Sequence, residues 1–415
     1  ESLGDREEAA RWFGRAVAKA LAGGEFERAM ELAEKLAQVT KGAERARAEL
    51  HVVDALFRAG RAAEAKDRLE RIHLDGVTDM GVRLEARVLT LAIAATLRHL
   101  PSDHDPSLVV DADAYGDLSL RIETRLAAAR LVRGRRGLVL AEEAIALAAE
   151  SPLELRYRAL AMRHELLAEV DPSDVARLQR ATELVRAAAR ELGSPWAELD
   201  ADNSFACARS NAGDFATALP LFESISARAK QFKFGTLERE VLVNTATTYL
   251  RSGDPARAAA AAALAADAAR AAGNADLLMG AQSVRADALT QTGDLAAAKA
   301  AADEAIEVAM SGGQDYYATV TLLRRAEIRS RLGDPRAEED AAHARKRAES
   351  VADVDLVTRA EVWSALHHAR NGVDGAIVVL AEIVRAVDAR QAPLRAPTKR
   401  SLDEARRLVG ASSTR

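Results

Sequence analysis

Small apolar residues recur along the chain in step with glycines that an aspartate follows. Four such glycines lie forty residues apart, at Gly213, Gly253, Gly293 and Gly333. Seven residues before them stand Ala206, Ala246, Ala286 and Ala326. Five residues after them stand Ala218, Ala258, Ala298 and, as an exception, Glu338. This pattern predicts two helices that cross closely around a tight turn, and the larger side chains predicted to fill the space between pairs are Phe222, Leu264 and Ile306.

The Gly-Asp pair itself predicts the turn. Glycine adopts at little cost the left-handed conformation that ends a helix. The aspartate after it can accept a hydrogen bond from the free N–H groups of the next helix. Pro255 and Pro335 follow their aspartates directly, at the expected first helical position, where a missing N–H costs nothing. The repeating unit is therefore helix, tight turn, helix, and one unit is predicted to have helices at 238–251 and 255–272.

The repeat extends beyond these four turns with looser spacing. A fifth, degenerate copy stands at Gly372, and Gly60 lies 36 residues after Gly24. The stretch 98–173 needs two imperfect units, which gives roughly nine or ten units in all. We therefore predict an all-α superhelical solenoid of antiparallel helix pairs. Its predicted parts are N-terminal repeats at 1–97, an irregular segment at 98–137, regular repeats at 138–390, and a capping helix with a tail at 391–415.

The spacing around the turns resembles that of tetratricopeptide repeats, in which a small residue on the first helix and an alanine on the second flank the turn. The matching fragments run from Gly213-Asp214-Phe215-Ala216-Thr217-Ala218-Leu219 to Phe222, and from Gly4-Asp5-Arg6-Glu7-Glu8-Ala9 to Phe13 and Ala16. The period of forty differs from the family's usual ~34, and most of the consensus Trp and Pro positions are missing. The chain is therefore similar to the longer-helix relatives found in bacterial regulators. This resemblance implies a right-handed solenoid.

The N-terminal end carries a second resemblance. If Gly4-Asp5 is a turn, the first helix of its pair precedes Glu1, and we expect the chain to start inside an array. The residues Trp12-Phe13 and Gly23-Gly24-Glu25-Phe26-Glu27-Arg28-Ala29 resemble the junction downstream of the ATPase or kinase domain in bacterial signalling proteins that carry such repeats. This resemblance implies that domains of the same longer chain are among the candidate partners.

Composition and charge narrow the classes of function. Alanine accounts for 93 of the 415 residues and aromatic residues for 4%, which favours many thin helix–helix contacts over a large enzyme core. The formal charge of −5 disfavours nucleic acid and anionic membranes as partners. The longest uncharged apolar stretches, 88–97 and 258–266, are too short to span a bilayer. The single cysteine and the lack of zinc-like Cys/His spacing predict a cytoplasmic protein without disulfide or metal.

Several short motifs resemble chemical sites, but their spacing favours structural roles. No P-loop is present, and Arg133-Gly134-Arg135-Arg136-Gly137 is interpreted as a basic turn, because no strand precedes it. Asp111-x-Asp113-x-Tyr115 imitates a calcium loop but lacks its glutamate, and Asp103-His104-Asp105 is interpreted as a solvated insertion. Cys207 is predicted to be a small buried apolar residue. His164-Glu165 has no nucleophile nearby in sequence and is predicted to lie on a helix surface.

The first helices supply the binding hypothesis. In the family, fixed positions of the first helix face the concave side, and these positions can be found here by counting back from each turn glycine. The residues at these positions are Asn203, Asn244, Ser283, Asp287, Gln291, Arg324 and Glu327. Asn and Arg side chains there can hydrogen-bond a peptide backbone or its acidic groups. The alternative interpretation is a groove that is merely solvated.

We predict a non-catalytic interaction or sensing region of a larger bacterial signalling protein, which binds a protein or peptide and needs no cofactor. A stand-alone adaptor or scaffold is the alternative from another class. The third alternative is an all-helical enzyme with its site at 100–137, where no acid, base and nucleophile converge in sequence.

Overall fold

The computed structural model describes residues 3–97, 107–171, 174–351, 353–390, 394 and 396–413, and every regular element in these ranges is helical. The helices up to residue 271 are α1 (Leu3–Ala22), α2 (Phe26–Val39), α3 (Gly42–Arg58), α4 (Ala62–Glu70), α5 (Met80–Leu97), α6 (Ser107–Tyr115), α7 (Leu118–Val132), α8 (Gly134–Leu147), α9 (Leu153–Val170), α10 (Val175–Leu192), α11 (Pro195–Asn211), α12 (Phe215–Phe232), α13 (Gly235–Arg251) and α14 (Pro255–Ala271). The later helices are α15 (Ala275–Thr292), α16 (Leu295–Ser311), α17 (Asp315–Arg331), α18 (Ala337–Ser350), α19 (Val354–Arg370), α20 (Ala376–Arg390) and α21 (Ala396–Ser413).

The helices form consecutive pairs. Each odd-numbered helix from α1 to α19 packs against the even-numbered helix that follows it, and we call the two members first and second helices. Successive first helices contact one another, as in α9 with α11, α11 with α13, and α17 with α19. Among the described residues, the second helices make no comparable contacts with one another. The first helices therefore lie on the narrower, inner side of each stack of pairs.

The four Gly-Asp turns spaced forty residues apart have the predicted geometry, whereas the turn expected at Gly4-Asp5 is wrong, because both residues lie inside α1, which pairs with α2. The φ angles of Gly213, Gly253, Gly293 and Gly333 are 83°, 82°, 88° and 68°. The side chains of Asp214, Asp254 and Asp294 each accept a hydrogen bond from the backbone N–H three residues later, at 3.0 to 3.1 Å. The fourth turn differs, because the Asp334 side chain accepts from the N–H of Arg336 and α18 begins only at Ala337. Pro335 thus precedes the helix, and its predicted first helical position is wrong.

A second series of left-handed residues separates one pair from the next. It consists of Gly193, Lys233, Gly273 and Gly313, again forty residues apart, with φ between 60° and 66°. Lys233 is the exception in this series, since its side chain must tolerate a conformation that suits glycine. Both turns of the forty-residue unit are thus fixed by left-handed backbone.

Alanine forms the contact between the two helices of a pair. Ala206, Ala246, Ala286 and Ala326 are fully buried, and so are Ala218, Ala258 and Ala298. Phe222 and Ile306 are also buried, as predicted, but Leu264 is 64% exposed, so its predicted place between pairs is wrong. The buried face of α14 consists of alanines alone, and Leu264 is not part of it. These alanines are Ala258, Ala262, Ala265, Ala266 and Ala269.

The chain divides into two compact units, Glu1–Leu278 and Met279–Arg415, with the boundary inside α15. The segment predicted to be irregular is 98–137. Its first part, 98–106, lies outside the described residues, and the rest contains α6, α7 and the start of α8. The predicted capping helix near the C terminus corresponds in position to α21. In the part of the chain that the structure describes, no helix is long and apolar enough to cross a membrane.

Candidate binding face of the first helices

In the first unit, two of the predicted residues meet directly. Asn203 on α11 and Asn244 on α13 lie 41 residues apart in sequence, and Nδ2 of Asn244 donates to Oδ1 of Asn203 at 3.1 Å. Asn203 is 7% exposed and Asn244 is half-buried. Neither Nδ2 of Asn203 nor Oδ1 of Asn244 has a hydrogen-bond partner among the described residues. This amide pair therefore retains one donor and one acceptor, the same set of groups that a peptide bond carries.

Two carboxylates lie about one turn before this amide pair on the same helices. Asp200 accepts a hydrogen bond from the hydroxyl of Tyr157 on α9 at 2.6 Å, and burial raises the pKa of Asp200. Burial, with a smaller effect of the Asp200 charge, raises the pKa of Glu240 to about 8. Glu240 has no hydrogen bond or ion pair to any residue in the described ranges. Both positions lie thirteen residues before the glycine of their turn.

Cys207 lies beside these groups on α11. Burial raises the pKa of its thiol to about 12, with the Glu240 charge as the next cause. The Sγ atom is 4.0 Å from Oδ1 of Asn203. A thiol with so high a pKa remains protonated at neutral pH and is a poor nucleophile.

The turns of the N-terminal pairs lie against the starts of α11, α13 and α15. The Ser194 hydroxyl donates to the carbonyl oxygen of Ala22 at 3.0 Å. Nδ2 of Asn274 donates to the carbonyl oxygen of Ala59 at 3.3 Å, and the N–H of Ala62 donates to Oδ2 of Asp276 at 2.6 Å. The Glu240 carboxylate faces the second of these turns at Gly60. One end of the first-helix face of this unit is thus bounded by the chain's own N-terminal turns.

In the second unit, the predicted residues join neighbouring first helices in pairs. Arg324 on α17 holds Asp287 on α15 in a bidentate ion pair, with Nη2 to Oδ2 at 2.8 Å. The hydroxyls of Ser283 and Thr321 lie 3.4 Å apart. Such bidentate pairs fix both side chains in one orientation.

Glu327 and Gln291 have different surroundings. Glu327 accepts a hydrogen bond from Nε1 of Trp363 on α19 at 3.2 Å and pairs with Arg331 on its own helix. Gln291 is exposed in the last turn of α15 and joins none of these pairs. The structure therefore brings six of the seven predicted residues into contacts between or along first helices, while their role in binding stays a prediction.

One position of the repeat carries charged residues that were not predicted to lie on this face. Thirteen residues before the turn glycine stand Asp200, Glu240 and, in the last repeat, Arg359. All three are half-buried on first helices. The offset from each glycine is the signal that could have found them, and the two units between them carry Gly280 and Val320 at this offset.

The other motifs have structural partners. Asp113 lies in helix α6 and binds the guanidinium of Arg125 through both oxygens at 2.9 Å, and this hydrogen bonding lowers the pKa of Asp113 to about 2. Arg133, with a φ of 47°, pairs with Glu169 at 2.6 Å. Within the described ranges, no three His, Cys, Asp or Glu residues are grouped to hold a metal ion.

His164 corrects a prediction. The sequence predicts this residue on a helix surface, but it is 2% exposed, and its Nε2 lies 3.0 Å from the hydroxyl of Thr182 on α10. Burial lowers its pKa to about 4. His164 is therefore a neutral core residue, and the pairing of α9 with α10 buried it.

Comparisons with known structures agree with this architecture. No protein-family model matches the chain, and the search of curated proteins gives no match. A Rap protein complexed with competence and sporulation factor superposes with a TM-score of 0.56 at 13% identity, over 89% of this chain and 94% of that one. A signal transduction ATPase with numerous domains from Pyrococcus horikoshii, which has a tetratricopeptide-repeat sensor, superposes with a TM-score of 0.54 at 13% identity, over 92% of this chain.

The chain has the tetratricopeptide-repeat fold. This confirms the predicted stack of helix pairs and the resemblance on which it rested. The chain spans about half of the Pyrococcus protein, 54% of its length. The fold is one used for protein interactions, and at this level of identity the likeness extends to the fold alone.

Proposed function

We propose that the chain is a non-catalytic binding module that holds an extended peptide or protein segment along its first helices. The observation that carries this proposal is the Asn203–Asn244 pair, which bridges two successive first helices at 3.1 Å and leaves one amide donor and one amide acceptor open. An extended backbone presents a C=O and an N–H to such a pair, so it can be bound without regard to its side chains.

The similarity to a Rap protein in complex with a factor and to a signalling ATPase with a repeat sensor supports a sensing role. We therefore propose that the chain is the sensing region of a larger bacterial signalling protein in the cytoplasm, and that its ligand is a protein or peptide. A stand-alone adaptor would use the same face. The complete reading frame separates the two, because a sensor would be encoded together with a nucleotide-binding or kinase domain and an adaptor would not.

The binding proposal is tested by selecting ligands for the whole chain from a random peptide library. The affinity of the selected peptides is then measured by isothermal titration calorimetry for the wild type and for the double variant Asn203→Ala, Asn244→Ala. Loss of two amide contacts should weaken binding by about tenfold or more.

The matched control is Asn371→Ala, since Asn371 is an exposed asparagine at the end of α19. It should leave the affinity unchanged. Equal affinity of the wild type and the double variant would exclude the amide pair as the binding element. Failure to select any peptide would overturn the proposal as a whole.

A further inference from the structure

The turn between α12 and α13 differs from the three equivalent turns of the chain. Lys233 has the left-handed backbone that separates one pair from the next, and the other turns carry glycine at this position. The residue before it is Phe232, where the other turns have Leu192, Ala272 and Gly312. The residue after it is Phe234, where the other turns have Ser194, Asn274 and Gln314. Three successive residues of this turn, which we call the phenylalanine turn, are thus larger than their counterparts.

The phenylalanine turn lacks interactions that stabilise its counterparts. The Ser194 hydroxyl and Oδ1 of Asn274 each accept a hydrogen bond from a backbone N–H in the first turn of the following helix, at 3.2 and 3.0 Å. A phenyl ring accepts no such bond, and α13 begins without a side-chain cap. Lysine is also less suited than glycine to the left-handed backbone. Local stability therefore does not account for the sequence of this turn, which points to another role.

Phe232 presents an aromatic surface to solvent. It is 43% exposed, and its ring stacks on that of Phe234 with 5.6 Å between centroids and 23° between planes. Phe234 is half-buried and packs against the core cluster that contains Phe222 and Leu237. The exposed ring thus rests on a ring that the core holds in place. Such preordering lowers the entropy cost of binding.

The charged residues around the exposed ring are basic. The stretch 224–237 contains Arg228, Lys230 and Lys233 and no aspartate or glutamate. Arg228 pairs with Asp202 on α11 at 3.6 Å. Both lysines are exposed, and the ammonium group of neither has a hydrogen bond or an ion pair with any residue that the structure describes. Two lysines available to a partner thus lie within two residues of Phe232.

An exposed aromatic ring beside two such lysines fits an acidic protein segment that carries a large apolar side chain. The apolar side chain would cover the ring, and the carboxylates would lie beside the ammonium groups. An anionic membrane surface offers similar chemistry. The chain as a whole has a formal charge of −5, however, which opposes its approach to such a surface. The observations therefore favour a protein partner.

We propose that the phenylalanine turn, with Lys230, is a docking site for a short acidic segment of a partner protein that carries an aromatic residue or leucine. This inference goes beyond the proposed function and does not depend on it. Phe234 precedes Asn244 by ten residues on α13, which corresponds to about 15 Å of helix. The turn and the amide pair can therefore be tested separately.

The experiment uses the full chain and a soluble synthetic library of random peptides of about ten residues, acetylated at the N terminus and amidated at the C terminus. Retained peptides are identified by affinity selection and mass spectrometry. The variants are Phe232→Ser, Lys233→Gly and the double variant Lys230→Gln, Lys233→Gln. The matched controls replace an exposed leucine of α14 and an exposed lysine of α18, as Leu264→Ser and Lys346→Gln.

The retained peptides should combine Asp or Glu with an aromatic residue or leucine. Their retention should fall by about tenfold in Phe232→Ser and by about two- to fivefold in the double lysine variant, and it should stay unchanged in both controls. Lys233→Gly should weaken retention while raising the melting temperature, because glycine suits the left-handed backbone. Weaker binding by this variant would therefore not result from unfolding.

Retained peptides that do not depend on Phe232 would overturn this inference. If the double variant Asn203→Ala, Asn244→Ala releases them instead, they occupy the amide pair, and the proposed function alone is supported. A lower melting temperature of Lys233→Gly would show that the lysine serves the fold, which also contradicts the docking site.

Sedimentation with vesicles of phosphatidylcholine and phosphatidylserine tests the membrane alternative. The wild type should remain in the supernatant. Binding to these vesicles that Phe232→Ser abolishes would identify the turn as a membrane contact and overturn the assignment of a protein partner.

Discussion

The indole ring of Trp196 lies directly on the backbone of Gly24. A Cβ atom at position 24 would come within 2.7 Å of Cδ2 of that ring, and Gly24 has a φ of 73°. The same indole meets the ring of Phe26 edge-on, at 5.3 Å between centroids and 84° between planes. Because Trp196 lies in the first turn of α11, this contact joins the first N-terminal turn to a helix pair about 170 residues later in the chain.

Gly24→Ala should therefore lower the free energy of unfolding by about 1–3 kcal/mol, since the methyl group must displace the indole and the backbone is left-handed. Urea denaturation measures this change. The emission of Trp196 should also shift to longer wavelength if the ring is pushed towards water.

The matched control is Gly14→Ala in α1. A Cβ atom at this position meets nothing within 4 Å. Alanine is the better helix former, so this variant should gain about 0.5–1 kcal/mol. If both variants changed the free energy of unfolding by the same amount, the contact between Gly24 and Trp196 would not contribute to stability.

The contact also shows where prediction from sequence ends. The Gly-Asp spacing and the alanines at fixed offsets determine local geometry, and they were enough to predict the helix pairs. Nothing local relates Gly24 to Trp196, because their distance depends on how much each pair rotates relative to the one before it. That rotation accumulates from many side chains in the contacts between pairs.

Lys233 offers a test of the second series of turns. It has a φ of 60° where the equivalent positions carry Gly193, Gly273 and Gly313. Lys233→Gly should raise the free energy of unfolding by up to about 1 kcal/mol, because it relieves the left-handed strain while adding some unfolded-state entropy. Thermal and urea denaturation both measure the gain.

Gly273→Ala is the reverse experiment. A Cβ atom there meets nothing within 4 Å, so only the backbone conformation opposes it. It should cost about 1 kcal/mol. A loss of stability in Lys233→Gly would mean that the lysine side chain contributes more than its backbone strain costs.

Ala246→Leu and Ala286→Leu test the close crossing of the helices in a pair. Both alanines are fully buried, and Ala286 packs against Ala298 and Ala302 on the second helix. The larger side chain should overpack the crossing and cost about 1–3 kcal/mol at each site. Ala260→Leu on α14, at an exposed position, is the control and should be nearly neutral. A neutral result at 246 and 286 would contradict the role of small residues in setting the helix distance.

The candidate site was only partly predictable. The offset from each glycine placed Asn203 with Asn244, and Asp287 with Arg324, on facing helices. The charge state of the groups on that face depends on burial, which the sequence does not state. His164 illustrates the same limit, because a polar residue on an amphipathic helix was expected at the surface and instead lies in the core beside Thr182.

Glu240 makes the first unit sensitive to pH. Its pKa is raised from 4.5 to about 8, first by burial and then by Asp200 on α11, and only Arg239 on its own helix acts in the opposite direction. Between pH 4.5 and 8 the folded state holds a proton at Glu240 that the unfolded state has released. Stability from this group is therefore present at low pH and falls as the pH rises through this window.

Glu240→Gln should remove that dependence, since glutamine resembles the protonated side chain at every pH. The variant and the wild type should be equally stable near pH 5, and the variant should be the more stable of the two at pH 8.5. Each tenfold change in proton affinity corresponds to about 1.4 kcal/mol. Urea denaturation across the pH range measures the difference, and Glu238→Gln on the same helix controls for the change in net charge. A difference between Glu240→Gln and the wild type that stayed constant with pH would show that Glu240 is ionised in the folded protein at neutral pH.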